Sequence, residues 1–246
     1  MCGRYSHEMS WAEIHALSGL LFPSPEKDPE SNYNTAPTHY CPVVLSDGSN
    51  IWGEYAFWGF IPPWFDKDLS DKKFNTINAR IEDVTQKATY RGSIQRHRCL
   101  VPATCFYEWQ TAGRAEGEKG KKQAYAIGVA GKDDGVSSFM MAGVWSHWVG
   151  TLKAERFEAY TFALLTREAG PKMGEIHHRE PAILIDDEIS TWLNAPLDEA
   201  LSKLTVPLPS QLLRFHKVSD RVGSVRNNDA DLMRPVDDRP QQGSLF

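Results

Sequence analysis

Tyr40-Cys41-Pro42-Val43-Val44-Leu45 and Ile51-Trp52-Gly53-Glu54-Tyr55-Ala56-Phe57-Trp58-Gly59-Phe60, joined by Ser46-Asp47-Gly48-Ser49-Asn50, read as a β-hairpin. β-Branched and aromatic residues fill both arms, and the five residues between them are turn formers. Working outward, further strands are expected at 99–110, 124–130, 138–148, 160–166 and 181–185, with turns carried by Gly113, Gly117, Gly120 and Lys132-Asp133-Asp134-Gly135. Upstream, Ser10-Trp11-Ala12-Glu13 is a capping-box signature, and Trp11, Ile14, Leu17 and Leu21 recur at helical spacing before Pro23 and Pro25. The first element is therefore expected to be a helix. Shorter helices fit 83–95, 187–193 and 198–204. Strands with short turns outnumber helices and no regular βαβ alternation appears. The expected fold is α+β: a single domain over 1–236 with a curved, mainly antiparallel, barrel-like β-sheet core and peripheral helices. The last ten residues are polar apart from their final two and read as a disordered tail, 237–246.

Composition narrows the class. The chain has 246 residues, 41% of them hydrophobic, and eight Trp, enough for a sizeable core in one domain. No apolar run is long enough to span a bilayer and no signal-peptide pattern opens the chain, so a cytoplasmic monomer without membrane contact is expected. The net charge of −5 argues against coating nucleic acid through bulk electrostatics, while leaving room for a local basic cleft. Arg91, Arg96 and Arg98, and Arg214, Lys217, Arg221 and Arg226, are the clusters able to build one. Cys2, Cys41, Cys99 and Cys105 show no C-x-x-C pairing and suggest neither a disulfide framework nor a zinc site; no cofactor or metal is expected, and the last three read as buried thiols.

Met1-Cys2-Gly3-Arg4 carries the chemical signal. Residue 2 is small enough for an aminopeptidase to remove Met1, which would leave a 1,2-aminothiol at the chain start. Its amine and thiol are both partly available near neutrality. The amine can condense with an aldehyde, and the thiol can then close on the same carbon to give a thiazolidine. Such chemistry needs proton carriers, an orienting group and a binding surface. Phe106-Tyr107-Glu108-Trp109 places a carboxylate on an aromatic strand, suited to general acid–base work. Ile176-His177-His178-Arg179-Glu180-Pro181 places imidazole and guanidinium before an apolar strand. Asn78-Ala79-Arg80 offers a neutral amide beside a guanidinium, and Trp58 and Trp64 offer aromatic surfaces on which unstacked bases lie.

These motifs, in this order, together with Tyr33-Asn34-Thr35-Ala36-Pro37, Pro63-Trp64, Cys99-Leu100-Val101-Pro102 and Val222-Gly223-Ser224-Val225-Arg226-Asn227, resemble the SRAP family, the SOS response-associated peptidase or abasic-site processing proteins. The resemblance implies covalent crosslinking to abasic sites in single-stranded DNA, with possible peptidase action in removing Met1 and lyase action on the lesion. It implies Cys2 as nucleophile, Asn78 orienting the opened sugar, and Glu108 and His177 moving protons. Arg4, Arg80 and Arg179 become phosphate contacts, and Asn34, Pro37, Trp64 and Thr166 line the DNA path. Two departures stand out: Cys105 where a Gly is common, and Glu180 where an apolar Met is usual, which would weaken the positive field around Arg179.

Two other classes compete. Amidotransferases with an N-terminal Cys nucleophile also begin Met-Cys-Gly, but they use an Asn-Gly pair for the oxyanion hole, and this chain has none. A non-catalytic reader of single-stranded or modified DNA would use the same surface with Cys2 as packing. Finally, Gln242, Ser244, Leu245 and Phe246 in the tail resemble the bacterial sliding-clamp-binding pentapeptide, departing from it at Gly243.

Overall fold

The computed structural model describes residues 2–72, 75–111, 122–131 and 136–236. The expected turns around Gly113, Gly117 and Gly120 and at 132–135, and the tail with its clamp-like Gln242, Ser244, Leu245 and Phe246, lie outside the described residues. In chain order the strands and helices are β1 (Tyr5–His7), α1 (Trp11–Ser18), β2 (Asn32–Thr35), β3 (Tyr40–Ser46), β4 (Ile51–Trp58), β5 (Asn78–Arg80), β6 (Arg98–Ala103) and β7 (Cys105–Thr111). They continue as β8 (Lys122–Ala130), β9 (Val136–Ser137), β10 (Phe139–Leu152), β11 (Glu155–Glu168), α2 (Pro171–Gly174), β12 (Arg179–Pro181), β13 (Ile183–Leu184), α3 (Asp187–Asn194), α4 (Leu197–Leu204) and β14 (Leu213–Lys217).

The quoted hairpin is β3–β4, with Tyr40 opposite Phe57 and Ser46 opposite Ile51. Its turn is tied by the Asp47 carboxylate, which accepts from the backbone N–H groups of Ser49 and Asn50. β3 then pairs with β6, β6 with β10, β10 with β11, and β11 returns in parallel to β4. The sheet thus closes on itself as a five-stranded barrel. Closure buries both faces of these strands, so β3 reads as a continuous apolar run rather than an alternating one. Successive side chains point to opposite faces. Val43, Leu45, Cys99, Val101, Met141 and Phe162 join one core cluster with Trp58, while Val44, Leu100, Met140, Ala142 and Ala163 pack with α1, α3 and α4. Two close approaches require glycine. A Cβ on Gly53 would stand 2.7 Å from the Trp11 ring, and one on Gly143 would stand 2.7 Å from the Cys99 sulfur.

α1 begins and ends as its sequence dictates. Ser10 and Glu13 complete the reciprocal capping box, and Gly19 closes the helix in the left-handed conformation. Yet it is not the first element. β1 precedes it, too short and too polar for periodicity to mark, and it is paired with β2 and β7. The second, antiparallel sheet runs β14-β8-β7-β1-β2, with β9 on β8, and its Tyr5, Phe106, Ile127 and Leu213 pack into the same cluster as Trp58.

Two other expectations are corrected. The 99–110 strand is two strands, because the chain changes sheets at Thr104: β6 stays in the barrel and β7 joins the second sheet. The 83–95 helix is instead a run of turns ending in the 3₁₀ turn Ser93–Gln95. Its buried apolar residues, Val84, Tyr90 and Ile94, are spaced six and four apart and leave no continuous apolar helical stripe to anchor. The other two expected helices are α3 and α4. Among the described residues no helix is long and apolar enough to cross a membrane.

Glu180 does not act on Arg179 as expected from its place in sequence. It stands opposite Arg167 in the β11–β12 register, and the two form a buried ion pair at 2.9 Å, with side chains 4% and 3% exposed. The other Glu180 oxygen accepts from Gly170 N–H, while Arg167 Nη1 donates to the carbonyls of Leu204 and Val206. The buried acid is therefore compensated by a buried guanidinium. Glu180→Met is expected to cost about 3–5 kcal/mol in urea unfolding, because it strands Arg167. The Arg167→Met/Glu180→Met double variant should recover only part, since two carbonyls lose their donor.

Candidate active site around Cys2

β1 delivers the start of the chain to the middle of the second sheet. With Tyr5 opposite Phe106 and Arg4 O accepting from Tyr107 N–H at 2.9 Å, the chain ahead of β1 runs antiparallel past β7 toward Glu108. Cys2 is wholly buried there, its Sγ 3.8 Å from Arg4 O. Asn78 arrives from the barrel, because β5 pairs in parallel with β11, Asn78 opposite Leu164. Its side-chain amide donates to Cys2 O at 2.8 Å, and its own carbonyl accepts from Tyr90 Oη at 3.1 Å. The Asn78 Oδ1 is buried without a hydrogen-bond partner among the described residues.

Burial pushes the Cys2 thiol far above the usual cysteine range, and the nearby Glu108 carboxylate adds to that push. In the resting protein it is a thiol. Glu108 is itself buried in the β7 strand. His177 sits half-buried in the loop between α2 and β12, a segment fastened to β7 by Gln110 Nε2, which donates to Glu175 O at 2.7 Å. His177 Nδ1 lies 3.0 Å from the backbone N and 3.1 Å from the backbone O of Arg179. His178 is exposed and stacked on His177, whose proximity lowers the His178 pKa, with Glu108 pulling the other way.

The remaining residues fall into distinct surroundings. Arg80 is exposed on β5, two residues from Asn78. Arg179 is buried, its two Nη atoms forming a fork onto Glu82 at 2.6 and 2.9 Å, with Nη2 also donating to Thr166 O and Oγ1. Thr166 is fully buried beneath it. Arg4 Nη1 donates to Asn34 Oδ1 at 2.8 Å and to Val222 O at 2.9 Å. The buried Asn34 amide donates to the carbonyls of Val222, Ser224 and Asn227. In this arrangement Arg4 and Asn34 fasten the 222–227 segment, which explains that motif as a source of backbone acceptors. Pro37 borders a groove of about 490 Å³ with Trp58, Gly59, Lys72 and Ile77. Trp64, 57% exposed, borders a separate groove of about 620 Å³ with Arg91 and His97. Of the sequence-level basic clusters, Arg98 is not surface at all: it donates to the carbonyls of Trp192 and Ala195 at the end of α3.

Sequence reasoning missed Glu82 and Tyr90. Glu82 follows Arg80 by two residues, which hinted at a charge partner, but the guanidinium it grips lies 97 residues away.

The fold is a barrel-centred α+β domain that buries Cys2 beside the Asn78 amide and the Glu108 carboxylate. The sequence profile of the SOS response associated peptidase (SRAP) family matches residues 1–225, and the chain belongs to this family. It is 30% identical over 239 residues to the abasic site processing protein YoaM of Bacillus subtilis, covering 95% of this chain and 97% of YoaM. It is 32% identical over 234 residues to the abasic site processing protein HMCES of Gallus gallus, covering 84% of this chain and 66% of HMCES. A crystal structure of a Bacteroides thetaiotaomicron protein superposes with a TM-score of 0.78 at 25% identity, over 96% of this chain and all of that one.

All four cysteines are free and buried. Burial also pushes Cys41 up to about 12 and Cys105 up to about 11, and raises Cys99. Thiol titration with an aromatic disulfide reagent at neutral pH should therefore be slow in the native chain and rapid for all four once denaturant is added.

Proposed function

We propose that this protein processes abasic sites in single-stranded DNA by linking itself to the lesion through Cys2 after Met1 is removed. The observation that carries the reading is the convergence on Cys2: the Asn78 amide holds its carbonyl, and Glu108 acts electrostatically on its thiol. The names of the family's relatives support the substrate class.

With Met1 attached, the Cys2 nitrogen is an amide and no nucleophile; removal frees the amine. Because the thiol is protonated at rest, the amine acts first. It adds to the aldehyde of the ring-opened sugar, and loss of water leaves a C=N bond. The thiol then adds across that bond: sulfur bonds to carbon, its proton passes by way of a base to nitrogen, and a thiazolidine results. Glu108 would relay that proton, and the His177 imidazole would assist water departure and sugar opening. Asn78 Oδ1 accepts from the incoming sugar hydroxyl or the Cys2 amine. Arg80 supplies an exposed cation for the strand's phosphates. Capture as a thiazolidine would shield the lesion from strand cleavage, and the same proton carriers would serve reversal.

The test is incubation of the protein, with Met1 removed, and a single-stranded oligonucleotide carrying one abasic site, read on a denaturing gel. A heat- and detergent-resistant shifted band is expected, and it should vanish in Cys2→Ala or when extra residues block the N-terminus. Undiminished crosslinking by the blocked protein would overturn the mechanism, and unchanged lesion protection by Cys2→Ala would favour a non-catalytic reader. Glu108→Gln and His177→Ala are expected to slow crosslinking about 10²- to 10⁴-fold with little change in noncovalent affinity. Arg80→Ala should instead weaken binding and flatten its salt dependence.

The tail adds a partner to this reading. Gln242, Ser244, Leu245 and Phe246 would tether the domain to a sliding clamp. A labelled 237–246 peptide should bind the clamp and lose binding on Leu245→Ala/Phe246→Ala substitution; equal binding by both peptides would exclude the motif.

A further inference from the structure

Glu82 fills the guanidinium fork of Arg179. Its carboxylate oxygens lie 2.6 and 2.9 Å from the two Nη atoms of Arg179, and Oε2 is also 4.0 Å from Nε of Arg80. The fork of a guanidinium fits a carboxylate and a phosphodiester by the same pair of parallel hydrogen bonds. The two cations differ in access: the Arg179 side chain is 5% exposed and that of Arg80 60%, while the Glu82 side chain between them is 47% exposed. The anion is thus the accessible member of the buried pair. Arg179 is fixed from behind by Thr166 O and Oγ1, so it stays in place if Glu82 swings outward. Both cations flank Thr166 of β11, with Arg80 opposite it in β5, and Asn78 lies two residues along the same strand.

We propose that Glu82 is an internal phosphate mimic, a latch that occupies the Arg80–Arg179 pair in the resting protein and is displaced when a backbone phosphate of the bound strand enters. This rests on the reading of the site as one that binds single-stranded DNA. The latch lowers affinity for undamaged strands, because every phosphate entering the pair must expel a bidentate carboxylate. A strand captured covalently at Cys2 would supply that phosphate at high effective concentration. Discrimination for the lesion is then partly set at Glu82, outside the reacting groups.

The experiment measures equilibrium binding of a fluorescent, unmodified thymidine oligonucleotide across a salt series for the unsubstituted protein, Glu82→Gln, Glu82→Asp and Arg80→Ala, with crosslinking of the abasic oligonucleotide followed in parallel. Glu82→Gln should tighten binding about fivefold or more, the low end of ordinary coupling factors. It should also steepen the dependence of log Kd on log salt by roughly 0.7, one additional single-strand phosphate contact. Glu82→Asp, which keeps the charge but shortens its reach, should tighten binding less. Circular dichroism melts identify a temperature at which every variant is folded, and binding is compared there. Unchanged or weaker binding by both Glu82 variants, with Arg80→Ala still impaired, would overturn the latch and make Glu82 a positioning residue for Arg179. If neither Arg80→Ala nor salt alters binding and no crosslink forms, the DNA-binding reading itself fails and the latch falls with it.

Discussion

Tyr5 opposite Phe106 and Ser6 opposite Cys105 hold β1 between β2 and β7, and this pairing is the constraint from which the rest of the site follows. A chain terminus is normally the least ordered part of a domain. Here β1, flanked on both sides, lies just after Cys2, and Cys2 is carried into the interior rather than left in solvent. Burial has a chemical consequence. The thiol pKa is raised and the sulfur is shielded from solvent oxidants. The barrel contributes the other half, because β11 holds β5 on one side and β12 on the other. Asn78 and Arg80 come from the first, Arg179 from the second, and His177 from the loop just before it.

Charge in this region is organised as two buried guanidinium–carboxylate pairs with opposite access. Arg167 and Glu180 are sealed together and complete a join between β11, β12 and the chain after α4. Arg179 is equally buried, yet its partner Glu82 reaches solvent. The first pair is structural cement whose members must change together. The second leaves a buried cation whose carboxylate partner is open to solvent. One residue of offset along β12 separates the two roles, since neighbouring side chains on a strand point to opposite faces.

Much of this was legible in the chain itself. The β3–β4 hairpin, the α1 caps, α3 and α4 follow from local periodicity and turn chemistry, and the α+β class with a curved antiparallel sheet follows from their order. Residue type and ordered spacing are also what single out Cys2, Asn78, Glu108 and His177 as candidate groups. Local pattern misled where tertiary pairing decides. β1 is three residues long and exists only because distant strands flank it, the 99–110 run divides because one half belongs to each sheet, and 83–95 lacks the stripe a helix needs.

The sequence by itself determined the local elements and the family, since these depend on neighbours within a few residues or on the order of motifs. Only the tertiary structure decided which groups meet. Glu180 faces Arg167 rather than Arg179; Arg179 is gripped by Glu82, 97 residues away; and Arg4 and Asn34 grip the 222–227 carbonyls. The physical reason is that partners in a closed sheet are chosen by strand register and face. Separation along the chain carries no record of either until the barrel closes.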